Sequence, residues 1–266
     1  MNGALSEVKT FTPLTSLSQS NWEFIDSGYN TGEYNMQFDL HLVERCRTEK
    51  KFFIRFYQWK PYAISLGYNQ GRFMNEQKID RAKCLKDGID VVHRPTGGRA
   101  VLHSEELTYS IVLRSEQPTV FLYRDISNAL LNGLKMIEPG NSALIELSLT
   151  KDNPDLLNLV KTGMYNLCFN TSIKYEINHK GKKLVGSAQR KFGDIVLQHG
   201  SILIGDHHKS IVNYLSIDDR VKKIVEKEIN EKTTCLNEVL SREVTYKEIS
   251  PALLKGFLSS WNIKLN

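Results

Sequence analysis

Strands that follow one another in pairs constrain the fold of this chain more than any other feature of its sequence. The clearest set comprises Ser172–Ile177, Lys182–Gln189 and Ile195–Ile204, separated by turns that contain Gly181 and Gly193. The strict alternation of strand and helix that a doubly wound parallel sheet requires is missing. The pattern therefore predicts an α/β fold with a mixed, largely antiparallel sheet flanked by helices.

Two further regions extend this pattern. Lys51–Trp59 is aromatic and β-branched, and Lys60-Pro61 marks a turn before Ala63–Tyr68, so these segments predict another hairpin. Leu107–Leu113 alternates apolar and polar residues, which predicts a strand with one buried face. A short strand is predicted at Ile89–His93. Apolar periodicity and capping patterns predict helices at Asn35–Arg47, Met74–Asp87, Phe121–Ile137, Asn153–Val160, Lys209–Leu215, Asp218–Ile229 and Thr245–Trp261, the last opening with the capping box Thr245-x-x-Glu248.

Composition and length describe an ordinary globular protein. The 266 residues are 24% charged and 41% hydrophobic, and no repeat or long linker divides them. We expect one domain over residues 1–266, with a loose lead-in at 1–21 and a core at about 35–240. No signal peptide or apolar run of about 20 residues is present, so we expect a cytoplasmic protein outside the membrane. The net charge of +5 lacks a dense basic stripe, which argues against nucleic acid and allows an acidic partner.

The four cysteines are scattered through the chain, and their spacing predicts neither disulfides nor a metal site. Cys168 lies in a loop before a strand that carries lysines, where a thiol can become a nucleophilic thiolate. The alternative is a buried, inert side chain, which is how most cysteines behave. That inert role is the one we expect for Cys46, Cys84 and Cys235.

The segment Arg94-Pro95-Thr96-Gly97-Gly98-Arg99, followed by His103, is one candidate binding site. Paired glycines let the backbone approach a ligand closely, and their amides can donate to phosphate or carbonyl oxygens. A tight turn with solvated charges explains the same residues equally well. The segment is neither a Walker loop nor a dinucleotide fingerprint, so it does not imply a nucleotide.

A second candidate site lies where Lys183 enters the small-residue strand Gly186-Ser187-Ala188-Gln189. A lysine beside an apolar groove can serve as an acid or a base. Two solvated lysines on a surface hairpin are the simpler explanation of these residues taken alone. His199, at the end of the next strand beside Gly200, is a further candidate ligand contact, with a structural histidine as the alternative.

Together, in this order, the motifs resemble the biotin/lipoate protein ligase superfamily, and within it the cysteine-dependent octanoyltransferases. The resemblance runs from about residue 22 to the C-terminus. Its blocks are Asn35-Met36-x-x-Asp39, Arg55-Phe56-Tyr57-x-Trp59-x-Pro61, Ser65-Leu66-Gly67-Tyr68-x-Gln70, Arg94 to His103, Glu106-Leu107-Thr108-Tyr109-Ser110, Cys168-Phe169, Gly186-Ser187-Ala188-Gln189 and Leu197-Gln198-His199-Gly200-Ser201.

The resemblance implies a single catalytic domain and an acyl transfer. Cys168 is expected to be the nucleophile that takes octanoyl from the phosphopantetheine arm of an acyl carrier protein, and Lys183 the group that moves protons. The segment from Arg94 to Gly98, with Arg99, His103, His199 and the strand Gly186-Ser187-Ala188-Gln189, is expected to bind the acyl substrate. The acceptor is expected to be a lysine of a glycine-cleavage H protein or of a lipoyl domain. No cofactor or metal is expected, and the protein is expected to be a monomer.

Two departures from the family pattern concern detail. His93 stands where the family often has a second arginine, and Phe169-Asn170-Thr171 stands where close relatives have an Asp and a Pro. Other activities stay open: an ATP-dependent lipoate–protein ligase, an amidotransferase that takes octanoyl from H protein, and a non-catalytic acyl-binding protein. A serine hydrolase is excluded because Ser187 lacks the second glycine of the GxSxG motif.

Overall fold

The computed structural model describes residues 21–68, 78–150 and 175–265. Its main sheet has five strands in the order β1-β2-β6-β11-β10. These strands are β1 (Asn21–Asn30), β2 (Lys51–Trp59), β6 (Glu106–Arg114), β11 (Ile195–Leu203) and β10 (Val185–Phe192). β1 and β2 are parallel, and the other three pairs are antiparallel. The predicted mixed, largely antiparallel sheet is therefore confirmed.

A second sheet has the order β4-β3-β5, formed by β4 (Asp90–His93), β3 (Ala63–Leu66) and β5 (Val101–His103). The predicted hairpin between residues 51–59 and 63–68 is wrong. Both segments are strands, but β1 and β6 occupy both edges of β2. The chain therefore passes through Lys60-Pro61 into the second sheet instead of folding back on β2.

A third, small sheet contains β7 (Ser148–Leu149), β8 (Ile177–His179) and β9 (Lys182–Lys183). The predicted turn between β8 and β9 is confirmed: Lys180 and Gly181 both have positive φ, as a tight hairpin turn requires. The predicted strand Lys182–Gln189 is split at Leu184, so β9 and β10 belong to different sheets. The hairpin of β10 and β11 across Gly193 is confirmed by the pairing of Phe192 with Ile195.

Helices cover both faces of the main sheet. They are α1 (Gly32–Glu49), α2 (Arg81–Lys86), α3 (Thr119–Lys135), α4 (Ser142–Ile145), a 3₁₀ helix (His207–Tyr214), α5 (Asp219–Lys232), α6 (Leu236–Leu240) and α7 (Tyr246–Trp261). Predictions for α1, α3, α5 and α7 are confirmed to within a few residues, whereas α6 was not predicted. In the described part of Met74–Asp87 the helix begins only at Arg81. Asn153–Val160 lies outside the described residues, and no helix within them is long and apolar enough to cross a membrane.

Two local predictions are corrected. The Thr245 side chain makes no capping hydrogen bond, so only the Glu248 half of the predicted capping box forms: the Glu248 carboxylate accepts from the Thr245 backbone and also pairs with Arg242. β6 is buried on both faces rather than one, because it is the central strand of the sheet and both α1 and α7 pack against it.

The hydrophobic core extends beyond the predicted limits of 35–240. Trp22 on β1 and Trp261 on α7 are both buried, and their ring centroids lie 5.3 Å apart. Phe257 packs against Phe56 of β2 on the same side of the sheet. The segments on either side of the predicted core therefore contribute to its interior.

Candidate functional site

The register of the main sheet aligns polar residues in two rows on the face beneath α1. One row joins Arg55, Ser110, His199 and Ala188, and the next joins Tyr57, Thr108, Ser201 and Gly186. A pocket lies over these rows, and the space inside it, including its open mouth, is about 420 Å³. Its walls are Met36, Tyr57, Trp59, Ser65, Arg94, Val101, His103, Thr108, Gly186, Ser187, Ala188, His199, Gly200 and Ser201.

Glycine at position 200 lets β10 and β11 pair closely beside this pocket. A methyl group added at Gly200 would lie 2.5 Å from the carbonyl oxygen of Gly186 and 2.7 Å from Oγ of Ser187. Both distances are well inside van der Waals contact, so the strands can approach this closely only with glycine at position 200.

Three buried side chains form a hydrogen-bonded chain that reaches the pocket at His199. Asp39 of α1 lies 2.9 Å from Nδ1 of His199, and Nε2 of His199 lies 2.6 Å from the Thr96 hydroxyl. All three are at most 4% exposed. The chain links the main sheet, through His199, to the loop that contains the paired glycines.

The charge states along this chain follow from burial and hydrogen bonding. Burial lowers the pKa of His199, although the bond to Asp39 opposes the shift. Burial acts to raise the pKa of Asp39, but the His199 bond and the Arg55 charge outweigh it and hold that pKa below its ordinary value. Asp39 is therefore ionised and His199 neutral at pH 7. Nδ1 of His199 then donates to Asp39, and Nε2 accepts from Thr96.

Arg55 fixes the carboxylate end of the chain. Its guanidinium donates to Asp39 at 2.8 Å, to Oδ1 of Asn35 at 2.7 Å and to Oγ of Ser27 at 2.7 Å. It also stacks 3.9 Å from the ring of Tyr57. A fully buried arginine needs this many partners, because an unpaired charge in the interior is costly.

A second carboxylate–histidine–hydroxyl chain lies on the opposite wall. Nδ1 of His103 is 2.8 Å from Glu106, and Nε2 is 2.7 Å from Oγ of Ser65. The His103 ring stacks on Trp59 at 3.9 Å, and Trp59 donates to Thr108 at 2.7 Å. Burial acts to raise the pKa of Glu106, but the charge and hydrogen bond of His103 hold it below its ordinary value. This wall is therefore rigid and polar behind an aromatic surface.

Arg94 shapes the glycine loop from within. It is buried, and its guanidinium donates to the carbonyl oxygens of Gly97 at 3.0 Å, Ser65 at 3.0 Å and Arg99 at 2.6 Å. Gly98 has a φ of 94°, which favours glycine. Arg94 thus lines the pocket while bonding to the backbone of its own loop.

Lys183 does not line the pocket. Its Nζ lies 2.8 Å from Oε1 of Glu176, and both side chains are almost completely buried. Lys183 ends β9, three residues before the pocket residue Gly186. Lys183 and Glu176 therefore form a buried ion pair at the start of the pocket strand.

The structure brings together most of the residues predicted to bind substrate. Arg94, His103, His199 and the strand from Gly186 to Ala188 line the pocket, and Thr96 bonds to His199. Other predicted residues lie outside the wall: Gly97, Gly98, Arg99, and Gln189, whose amide donates to Gln198 at 2.9 Å. Cys168 lies in 151–174, outside the described residues. His93 is exposed.

Sequence reasoning assigned no role to several residues that build the site, although they stood inside the matching blocks. These are Asp39, Arg55, Tyr57, Trp59, Ser65, Glu106, Thr108 and Ser201. A usable signal was present for Arg55 and Glu106. Arg55 lies within the predicted strand Lys51–Trp59, and Glu106 directly precedes the predicted strand Leu107–Leu113. A charged residue must find a partner when such a strand is buried.

The other three cysteines are buried. Burial raises the pKa of Cys46 to about 11, and it also raises the pKa values of Cys84 and Cys235. These thiols are therefore protonated at neutral pH and unsuited to nucleophilic attack. Within the described ranges, no group of three or more His, Cys, Asp or Glu side chains is placed to hold a metal ion.

The fold agrees with comparison to known proteins. The lipoyl protein ligase A/B catalytic domain model matches residues 31–258. The chain therefore belongs to the lipoyl protein ligase A/B catalytic domain family.

Two octanoyltransferases are similar to this chain over most of their length. The octanoyltransferase LipM of Geobacillus kaustophilus is 34% identical over 257 residues, covering 94% of this chain and 89% of the relative. The octanoyltransferase LipM of Bacillus subtilis is also 34% identical, with the same coverage.

Solved structures share the fold at low identity. A bipartite lipoate protein ligase of Thermoplasma acidophilum has a TM-score of 0.70 at 19% identity, covering 93% of this chain and 86% of that one. A lipoate-protein ligase A bound with ATP has a TM-score of 0.65 at 19% identity, covering 93% and 87%.

Proposed function

We propose that this chain is a protein octanoyltransferase of lipoate biosynthesis that works through a Cys168 acyl-enzyme. The observation that carries the proposal is the match, over nearly the whole chain, to relatives named as octanoyltransferases. The pocket over the main sheet supports it, because the small residues Gly186, Ala188 and Gly200 line it and leave space beside the strands for an unbranched acyl chain.

An octanoyl group suits this pocket energetically. Burying about six methylenes at about 0.8 kcal/mol each contributes about 5 kcal/mol, enough to select chain length by pocket depth. The stacked Trp59 and His103 present an apolar surface. Behind that surface Nε1 of Trp59 is bonded to Thr108 and Nδ1 of His103 to Oε1 of Glu106, so an alkyl chain need not satisfy these two nitrogen atoms.

The first half-reaction forms a new thioester. The Cys168 thiolate attacks the carbonyl carbon of the octanoyl thioester on the donor. The bond from that carbon to the donor sulfur breaks, and the donor leaves as a thiol after taking up a proton. Because one thioester replaces another, the step needs no ATP.

The second half-reaction forms an amide. The neutral ε-amine of the acceptor lysine attacks the carbonyl carbon of the acyl-enzyme, the bond to the Cys168 sulfur breaks, and the amine loses a proton. Lys183 is proposed to pass protons in both steps. Its amine lies in a buried ion pair with Glu176, three residues before the pocket residue Gly186. Backbone amides of the Ser187–Gln189 strand or of the Gly97-Gly98 turn are proposed to stabilise the oxyanion.

The proposed donor is octanoyl-acyl carrier protein, whose phosphopantetheine arm supplies the thioester, and no further cofactor is proposed. The proposed acceptor is a lysine of the glycine-cleavage H protein or of a lipoyl domain. The proposed setting is the cytoplasm.

Intact-mass spectrometry with three separate donors tests the proposal. The wild-type protein is mixed, without acceptor, with octanoyl-acyl carrier protein, octanoyl-H protein, or octanoate plus ATP. We expect one octanoyl adduct with the carrier-protein donor and none with octanoate plus ATP. The adduct should be absent from Cys168→Ser and present in the control Cys84→Ser.

Other outcomes favour other activities. An adduct only with octanoyl-H protein would indicate an amidotransferase. Octanoylation of the acceptor that requires ATP and survives Cys168→Ser would indicate a ligase. No product with any donor would contradict the proposed enzyme altogether.

A further inference from the structure

Arg190 lies on the pocket face of β10. Side chains on one face of a strand recur every two residues, so Gly186, Ala188 and Arg190 share that face. Gly186 and Ala188 line the pocket, and the Cα of Arg190 lies about 6.6 Å further along the strand. Arg190 therefore stands just beyond the pocket wall.

Its guanidinium is held in place by two aromatic rings and a carbonyl. The guanidinium carbon lies 4.0 Å from the centroid of Tyr68 and 4.7 Å from that of Phe192. Nη1 donates to the carbonyl oxygen of Pro95 at 2.8 Å, in the loop that carries Thr96. A guanidinium fixed in this way loses little conformational freedom when it binds a ligand.

The positive charge of Arg190 is not neutralised by any carboxylate within the described part of the chain. Arg55 and Arg114 differ in this respect, because Arg55 pairs with Asp39 and Arg114 pairs with Asp194. Arg190 is also only half-buried, so a ligand at the pocket rim can reach it. A fixed, unneutralised guanidinium is suited to a phosphate or a carboxylate.

We propose that Arg190 binds an anionic group of the acyl donor while the octanoyl chain occupies the pocket. The inference rests on the proposed octanoyl transfer. The acceptor presents a lysine, and its ammonium is repelled by a guanidinium. A phosphopantetheine donor carries a phosphodiester, and a carrier protein adds surface carboxylates. Either supplies the anion, whereas the acceptor lysine that enters the site supplies none.

Three donors separate the two sources of the anion. Octanoyl-acyl carrier protein has both the phosphate and protein carboxylates, octanoyl-phosphopantetheine has only the phosphate, and octanoyl-pantetheine has neither. The rate of acyl-enzyme formation is measured with each donor, for wild-type protein and for Arg190→Gln. Lys191→Gln is the matched control, because it removes the same charge from the neighbouring exposed residue on the opposite face.

We expect Arg190→Gln to lower kcat/KM for octanoyl-acyl carrier protein by about 10- to 100-fold, the range for one charge-assisted hydrogen bond. The loss should appear mainly in KM. Octanoyl-pantetheine should react equally with both proteins, and Arg190→Lys should recover part of the loss. An equal loss with octanoyl-phosphopantetheine assigns the anion to the phosphate, and a loss confined to the carrier protein assigns it to carboxylates.

Several results would overturn the inference. Arg190→Gln could leave all three donors unaffected, slow octanoyl-pantetheine as much as the others, or affect only the transfer from preformed octanoyl-enzyme to acceptor. Lys191→Gln could also reproduce the whole effect. If wild-type protein forms no acyl-enzyme with any donor, the proposed octanoyl transfer itself is wrong. The results above, in contrast, leave wild-type octanoyl transfer intact and contradict only the role of Arg190.

Discussion

Removing the Thr96 hydroxyl tests whether the chain from Asp39 through His199 holds the glycine loop onto the sheet. In Thr96→Val the shape of the side chain is kept, but Nε2 of His199 loses the partner that lies 2.6 Å away. Both residues are buried, so water cannot replace the hydroxyl. An unsatisfied buried acceptor costs about 1–3 kcal/mol. We expect the free energy of unfolding to fall by that amount.

Thr96→Ser is the matched control, because it keeps the hydroxyl and removes one methyl group, at a cost of about 0.8 kcal/mol. Urea unfolding at pH 7 measures the free energy of unfolding of both variants. In thermal unfolding, Tm should fall by roughly 2–4 °C for each kcal/mol lost. The reasoning is refuted if Thr96→Val unfolds with the wild-type free energy. It is also refuted if Thr96→Ser is destabilised as much as Thr96→Val.

Two further predictions concern pocket shape and pH. In Gly200→Ala the added methyl group would lie 2.5 Å from the Gly186 carbonyl oxygen and force β10 and β11 apart beside the pocket, so we expect acyl-enzyme formation to be lost. A Gly200→Ala protein that forms acyl-enzyme at the wild-type rate would contradict the packing argument. Burial lowers the pKa of His208 to about 4 in the folded protein, whereas a histidine in the unfolded chain has a pKa of about 6.5. Below pH 6.5 the unfolded state therefore binds a proton that the folded state does not, and the free energy of unfolding falls. Between pH 7 and 5 this loss is about 2 kcal/mol, and His208→Gln should lack it. Urea unfolding at both pH values measures the loss in each protein. An equal loss in the wild-type protein and in His208→Gln would show that His208 is not its cause.

Local pattern predicted which segments are strands and helices better than it predicted their partners. Lys51–Trp59 is a strand over the whole predicted range, yet it does not pair with the strand that follows. The alternation of side chains fixes a strand but says nothing about which strands already occupy its edges. β1 was missed because Asp26, Ser27 and Gly28 interrupt its apolar alternation, at a point where its register with β2 also shifts.

In the functional site, too, features that depend on neighbouring residues were predicted, and contacts between distant residues were not. Motif order located the glycine loop and the strand of small residues, because each depends on neighbouring residues in the chain. The bonds from His199 to Asp39 and to Thr96 join residues 160 and 103 positions apart, so no local spacing reveals them. They arise only when the register of β2, β6, β10 and β11 places these rows beneath α1.

The most direct test of the central claim follows the octanoyl group through both half-reactions in one sample. Octanoyl-enzyme is formed with octanoyl-acyl carrier protein, freed of donor, and mixed with an acceptor lipoyl domain while both proteins are followed by intact mass. We expect the enzyme to lose its octanoyl group from Cys168 at the rate at which the acceptor lysine gains one. An isolated adduct that never reaches the acceptor, or transfer at the wild-type rate by Cys168→Ser, would contradict it.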